Sequence, residues 1–103
     1  MPITSKQRAQ LRAMATDIDT IFQVGKGGIN DALVESVSSA LRARELIKGK
    51  VLETCEFTPR EVCDILAEKC RAEGVQTIGT KIVLYKRNEK EPKIVLVKDK
   101  KKQ

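Results

Sequence analysis

Thr20-Ile21-Phe22-Gln23-Val24-Gly25-Lys26-Gly27-Gly28-Ile29-Asn30 is the stretch that decides the fold. Thr20 to Val24 is rich in β-branched and aromatic side chains and reads as a strand. Asn30 is a strong helix N-cap, and Asp31 complements the positive end of the helix it opens. Three glycines, one lysine and Ile29 fill the positions between. A strand that enters a helix through Gly-Lys-Gly-Gly presents unobstructed backbone N–H groups beside a positive helix end. That combination suits a phosphate oxygen.

Upstream, Thr4-Ser5-Lys6-Gln7 has the capping-box spacing, and Leu11, Met14, Ala15 and Ile18 share one helical face. This first helix should end near Thr16 or Asp17. Downstream of the loop, a second helix runs from Asp31 to about Arg44, with Leu33, Val37, Ala40 and Leu41 as its apolar stripe. A second strand is expected over Leu46 to Glu53, with Ile47 and Val51 on one side and Lys48 and Lys50 on the other. Thr58-Pro59-Arg60-Glu61 opens a third helix with an N-cap, a first-turn proline and a reciprocal glutamate. Val62, Ile65, Leu66 and Cys70 form its buried stripe, and Gly74 is placed to end it. Strands over Val75–Ile78 and Lys81–Arg87 pivot on Gly79-Thr80. Ile82 to Tyr85 is apolar on both faces, which predicts cover on each side. Ile94–Val97 reads as a further edge strand.

The order α-β-α-β-α-β-β contains two βαβ crossovers, which should be right-handed, and gives a mixed four-stranded sheet in an α/β domain. The domain spans residues 1–97, and Lys98 to Gln103 reads as a disordered basic tail. Position of the first helix on the sheet does not follow from the sequence. With 103 residues and 41% hydrophobic content, the chain suits one packed domain.

Lys and Arg number 20 against 14 Asp and Glu, a formal charge of +6 that favours polyanionic partners. No apolar run approaches the ~18 residues of a membrane span, and no signal-peptide pattern opens the chain, so a cytoplasmic protein is expected. Cys55, Cys63 and Cys70 are unaccompanied by any histidine. Structural zinc needs four good ligands, so no metal is expected, and Cys63 and Cys70 read as core fillers. Without histidine, a carboxylate pair or a nucleophile beside a base, the sequence predicts no enzyme and no cofactor.

The glycine loop matches neither phosphate-binding nucleotide motif. A P-loop needs a Ser or Thr after its lysine, and a dinucleotide fingerprint needs glycine where Asp31 stands. Gly25-Lys26-Gly27-Gly28 fits better the GxxG loop with which KH domains clamp a nucleic-acid backbone. A loop that merely makes a tight turn is the plainer alternative.

Several segments together resemble the YhbY-type CRM domain family. They are Thr4-Ser5-Lys6-Gln7-Arg8 with Leu11-Arg12 and Ala15, Val24 to Gly28, Glu45-Leu46-Ile47-Lys48, Val75 to Gly79, Leu84-Tyr85-Lys86-Arg87 and Pro92-Lys93-Ile94. They span about residues 3–97 in the family's order. The resemblance implies an RNA-binding α/β domain similar to the C-terminal domain of a bacterial initiation factor. It also implies association with precursors of the large ribosomal subunit, as for single-domain bacterial members. Gly25, Lys26, Gly27 and Gly28 map to the family's RNA-contacting loop. Gly49 departs from the family pattern, since a β-branched residue is usual there, and could loosen the strand or make a bulge.

To the loop the charge pattern adds Lys6, Arg8 and Arg12 on the first helix, Lys48 and Lys50 on the second strand, and Lys86 and Arg87 at the end of the fourth. Arg8 and Arg12 lead this set, because neither belongs on the apolar face. Phe22, Phe57 and Tyr85 are the only aromatics, too few for a base-stacking platform, so backbone charge and RNA shape should dominate recognition. The expectation is a monomeric, non-enzymatic protein that binds structured ribosomal RNA. An architectural duplex-DNA-binding protein and a basic protein-interaction module are the alternatives.

Overall fold

Seven elements follow one another in the computed structural model, which describes residues 3–97: α1 (Ser5–Ala15), β1 (Thr20–Val24), α2 (Asp31–Arg44), β2 (Leu46–Val51), α3 (Pro59–Cys70), β3 (Glu73–Ile78) and β4 (Lys81–Tyr85). The expected tail, residues 98–103, lies outside the described residues. Local chemistry sets the helix starts. Thr4 and Gln7 exchange reciprocal bonds of 3.1 and 3.2 Å at α1, and Thr58 and Glu61 do the same at 2.9 and 3.2 Å at α3. Asn30 Oδ1 accepts the Leu33 N–H at 2.8 Å and so starts α2 where the glycine loop ends.

The strands form one sheet in the order β1-β2-β4-β3. β1 and β2 are parallel, while β4 runs antiparallel to both β2 and β3. The α/β order with its mixed four-stranded sheet is the one expected from the sequence. Both faces are covered. Val24, Ile47, Val51, Ile82 and Leu84 pack under Val37 and Leu41 of α2 and Val62 and Leu66 of α3. On the other face Leu46, Val75, Val83 and Tyr85 pack under Leu11 and Ala15 of α1. The double burial of Ile82 to Tyr85 follows from this three-layer arrangement, and Cys63 and Cys70 are core fillers.

Four boundaries differ from those expected, β3 starting at Glu73 rather than Val75 among them, and one expected strand does not form. β2 stops at Val51 and β4 at Tyr85, short of Glu53 and Arg87. Gly74 does not end α3; Arg71 takes the left-handed C-cap at φ 57. Gly74 instead lies within β3 opposite Leu84, where a Cβ would sit 3.0 Å from the Cys63 sulfur. Its job is close helix–sheet packing. Residues 94–97 form no strand; their backbone is held by side chains. Gln10 Oε1 accepts the Val97 N–H at 2.7 Å, Gln10 Nε2 donates to Val95 O at 2.8 Å, and Gln7 Nε2 donates to Val97 O at 3.0 Å. Ile94 and Leu96 pack on the α1-side core. This strap also runs through Glu45, whose carboxylate accepts the N–H groups of Asn88, Lys93 and Ile94 at 2.7, 2.8 and 2.7 Å.

Gly49 has a reason as well. The Phe22 ring lies across it, so a Cβ would fall 2.2 Å from Cζ. The bulge is in the partner strand: between Thr20 and Phe22, β1 gains one residue on β2. A β-branched residue would evict the ring. Gly49→Ala should therefore lower stability in urea unfolding by about 1–3 kcal/mol through overpacking. A gain of about 0.5–1 kcal/mol, normal for alanine over glycine in an open strand, would show that Phe22 yields freely.

Candidate nucleic-acid interface

The Gly25–Gly28 segment is a four-residue turn closed by the Gly28 N–H donating to Gly25 O at 2.9 Å. It stands at the C-terminal end of β1, directly before α2. Its three glycines have different grounds. At Gly25 a Cβ would sit 3.1 Å from Leu52 Cδ1 and 3.2 Å from Thr54 Oγ1, so the β2–α3 connection presses on it. Gly28 has φ +70, which the turn requires and side chains resist. Gly27 has neither constraint: its φ is ordinary and a Cβ would meet nothing nearer than Asn30 Nδ2 at 4.0 Å. The fold itself gives no reason for a bare backbone at Gly27, which is exposed beside the exposed Lys26. The N–H groups of Lys26, Gly27 and Ile29 have no hydrogen-bond partner among the described residues.

Below the loop, pairing builds a row across the sheet. Gln23 faces Lys50, Lys50 faces Lys81, and Lys81 faces Ile78. The next row holds Lys48, Val83 and Gln76. These side chains share the α1 face, but α1 covers the far end of it, over Leu46, Val83 and Tyr85. Half of the sheet face, next to the loop, therefore carries lysines. Lys81 escaped the sequence reading. Alternation puts it on the face of Val83 and Tyr85, but only the β2–β4 register sets it beside Lys50.

Other residues singled out from the sequence are distributed unevenly. Lys6 is exposed in the first turn of α1, and Arg12 is half-buried one turn after Arg8. Arg8 is engaged within the fold: its guanidinium donates to the carbonyls of Gly74 and Val75 and ties α1 to the β3 bulge. Lys86 Nζ donates to Cys70 O at 3.0 Å, a cation on the negative end of α3. Lys86 and Arg87 follow Tyr85, which pairs with Leu46 and Glu73. They belong to the end of the sheet opposite the loop. Loop, Lys48 and Lys50 come together; Lys86 and Arg87 stand apart.

No lysine of the open face makes an ion pair among the described residues. Among the described residues the one ion pair is Arg60–Asp64 at 3.6 Å, exposed on α3. No group of three or more Cys, Asp or Glu is gathered as a metal would need, again among the described residues. No helix there is long and apolar enough to cross a membrane.

Residues 3–86 match the CRS1/YhbY (CRM) domain. The chain belongs to this family. It is 46% identical over 94 residues to the Bacillus subtilis protein named Probable RNA-binding protein YqeI, covering 91% of this chain and 98% of that one. A Haemophilus influenzae protein named RNA-binding protein is 31% identical, with 91% and 94% covered. The solution structure of the hypothetical protein SAV1595 from Staphylococcus aureus superposes with a TM-score of 0.78 at 41% identity, covering 92% of this chain and 99% of that one.

Cys63 offers a pH readout of α3 seated on β3. Burial pushes its thiol above the ordinary 9.0, opposed chiefly by a hydrogen bond with Thr77. A raised folded pKa means the neutral thiol stabilises the fold below pH 9, and this contribution disappears as pH rises through the folded value. Unfolding midpoints should fall above pH 9, and less steeply in Cys63→Ala. In the native protein at pH 8, iodoacetamide should label the half-buried Cys55 first. Equal labelling of Cys63 would contradict a closed α3–β3 contact.

Proposed function

We propose that the protein binds RNA through the Gly25–Gly28 loop and the neighbouring lysine face, and that its target is ribosomal RNA in precursors of the large ribosomal subunit. The observation that carries this reading is Gly27. It is bare where the fold does not require it, beside unpartnered N–H groups, Lys26 and a helix N-terminus. A side chain there would hold a sugar-phosphate backbone away from those amides. The lysine row supplies a field for the rest of the polyanion. Relatives named as RNA-binding proteins in two bacteria support RNA over other polyanions. The ribosomal target rests on the resemblance to single-domain bacterial members of the family.

The binding is non-catalytic in this reading. The loop holds no general base, and the chain contains no histidine. The protein acts as a cytoplasmic monomer that joins a maturing particle through its RNA and leaves before translation.

Tagged protein should co-sediment with particles near the large subunit on a magnesium-containing sucrose gradient and move to the top after ribonuclease. Gly27→Glu should remain folded, since nothing crowds its Cβ, yet lose about tenfold or more in RNA affinity and leave the particle fractions. Wild-type protein that stays at the top removes the ribosomal assignment. A Gly27→Glu variant that binds normally reduces the loop to a turn.

A further inference from the structure

We infer that the open half of the sheet is a second phosphate-binding surface, with Lys81 as an added contact, and that loop and sheet together seat paired RNA rather than a single strand. The inference rests on the RNA reading above and specifies the form of RNA.

Three observations carry it. First, Lys50 and Lys81 are direct cross-strand neighbours, and their row continues into Gln23 and Ile78 with no acid. Like charges directly opposite one another destabilise a sheet, so the pair lowers stability unless an anion lies between them. No carboxylate of the chain pairs with either lysine among the described residues.

Second, the pair lies to one side of the loop. β4 is two strands from β1, a lateral offset of about 10 Å at the usual strand spacing. A phosphate held at the loop and another held at Lys81 are therefore separate points on the RNA. A rigid helix of defined width presents two such points together, whereas a flexible strand must be ordered to do so.

Third, the surface has nothing for bases to stack on. Phe22 lies over Gly49 on the opposite face, and Phe57 packs against the core of that face. Tyr85 is 3% exposed, at the end covered by α1. Single-strand binders of the RRM and OB type stack splayed bases on aromatic platforms, which this face lacks. Here the face offers ammonium groups, an amide side chain and free backbone N–H groups. Those fit phosphates and 2′-hydroxyls, which an A-form helix displays across its wide, shallow minor groove with its bases already stacked.

The test uses the full chain and fluorescence anisotropy with a labelled 16-base-pair RNA duplex, each of its strands alone, and the DNA duplex of the same sequence. The RNA duplex should bind at least tenfold more tightly than either single strand. Lys50→Gln/Lys81→Gln should bind the duplex more weakly, with a log affinity–log salt slope shallower by about 2, one per lost phosphate contact. Its thermal midpoint should not fall, because a facing like-charge pair has been removed; a loss of binding therefore cannot be assigned to unfolding. Single strands bound as tightly as the duplex, or an unchanged slope in the double variant, would overturn the inference while leaving RNA binding in place. Equal binding of both duplexes, or binding of no probe, would overturn the RNA reading itself and the inference with it.

Discussion

A buried carboxylate holds the architecture together at its base. Glu45 joins α2 to β2 in a conformation with φ 66, is fully buried, and is the one charged residue in the core among those described. A negative group at the C-terminal end of a helix is normally unfavourable. Here three amide donors surround it, and its own carbonyl accepts the Lys86 N–H at 2.9 Å. One side chain thus gathers the end of α2, the residues after β4 and the start of the C-terminal strap. Nearby Tyr85 feels the same environment: burial first, and then the Glu45 charge, push its phenol above the ordinary 10.0. Its hydroxyl has no hydrogen-bond partner among the described residues, a cost the site carries for burying it.

That junction decides which surface is free. With the strap fixed at Glu45 and held by Gln7 and Gln10, α1 and residues 93–97 cover the Leu46–Tyr85 end of one sheet face. The opposite end, beside the loop, keeps its lysines. Arg8 reinforces the division by tying α1 to the β3 bulge. Structure and recognition are thus sorted along the strands: helix docking and a buried acid at one end, bare backbone and lysines without an ion-pair partner among the described residues at the other.

Elements governed by neighbouring residues were legible in the sequence. The two capping boxes, the Asn30 cap, the Gly79-Thr80 turn and the two-sided burial of Ile82–Tyr85 all reflect local spacing or a short apolar run. What could not be read depends on distant partners. Gly49 looks like a weak point until Phe22 is seen above it, and Gly74 looks like a helix stop until Cys63 is. Residues 94–97 have the alternation of a strand, but two glutamines 85–90 positions upstream take their backbone groups. The candidate site divides the same way. Its loop announces itself within seven residues, whereas Lys81 joins the lysine face only through the register of β2 and β4, and Arg8 looks free until α1 is docked.

The most direct measurement is a titration of isotope-labelled protein with a short RNA duplex, followed by amide NMR shifts. Binding at the loop and open sheet predicts the largest changes at Lys26, Gly27, Gly28 and Ile29, then at Lys50 and Lys81. Lys86, Arg87 and the outer faces of α2 and α3 should stay nearly still. Changes centred on Lys86 and Arg87, with the glycine loop unmoved, would contradict it.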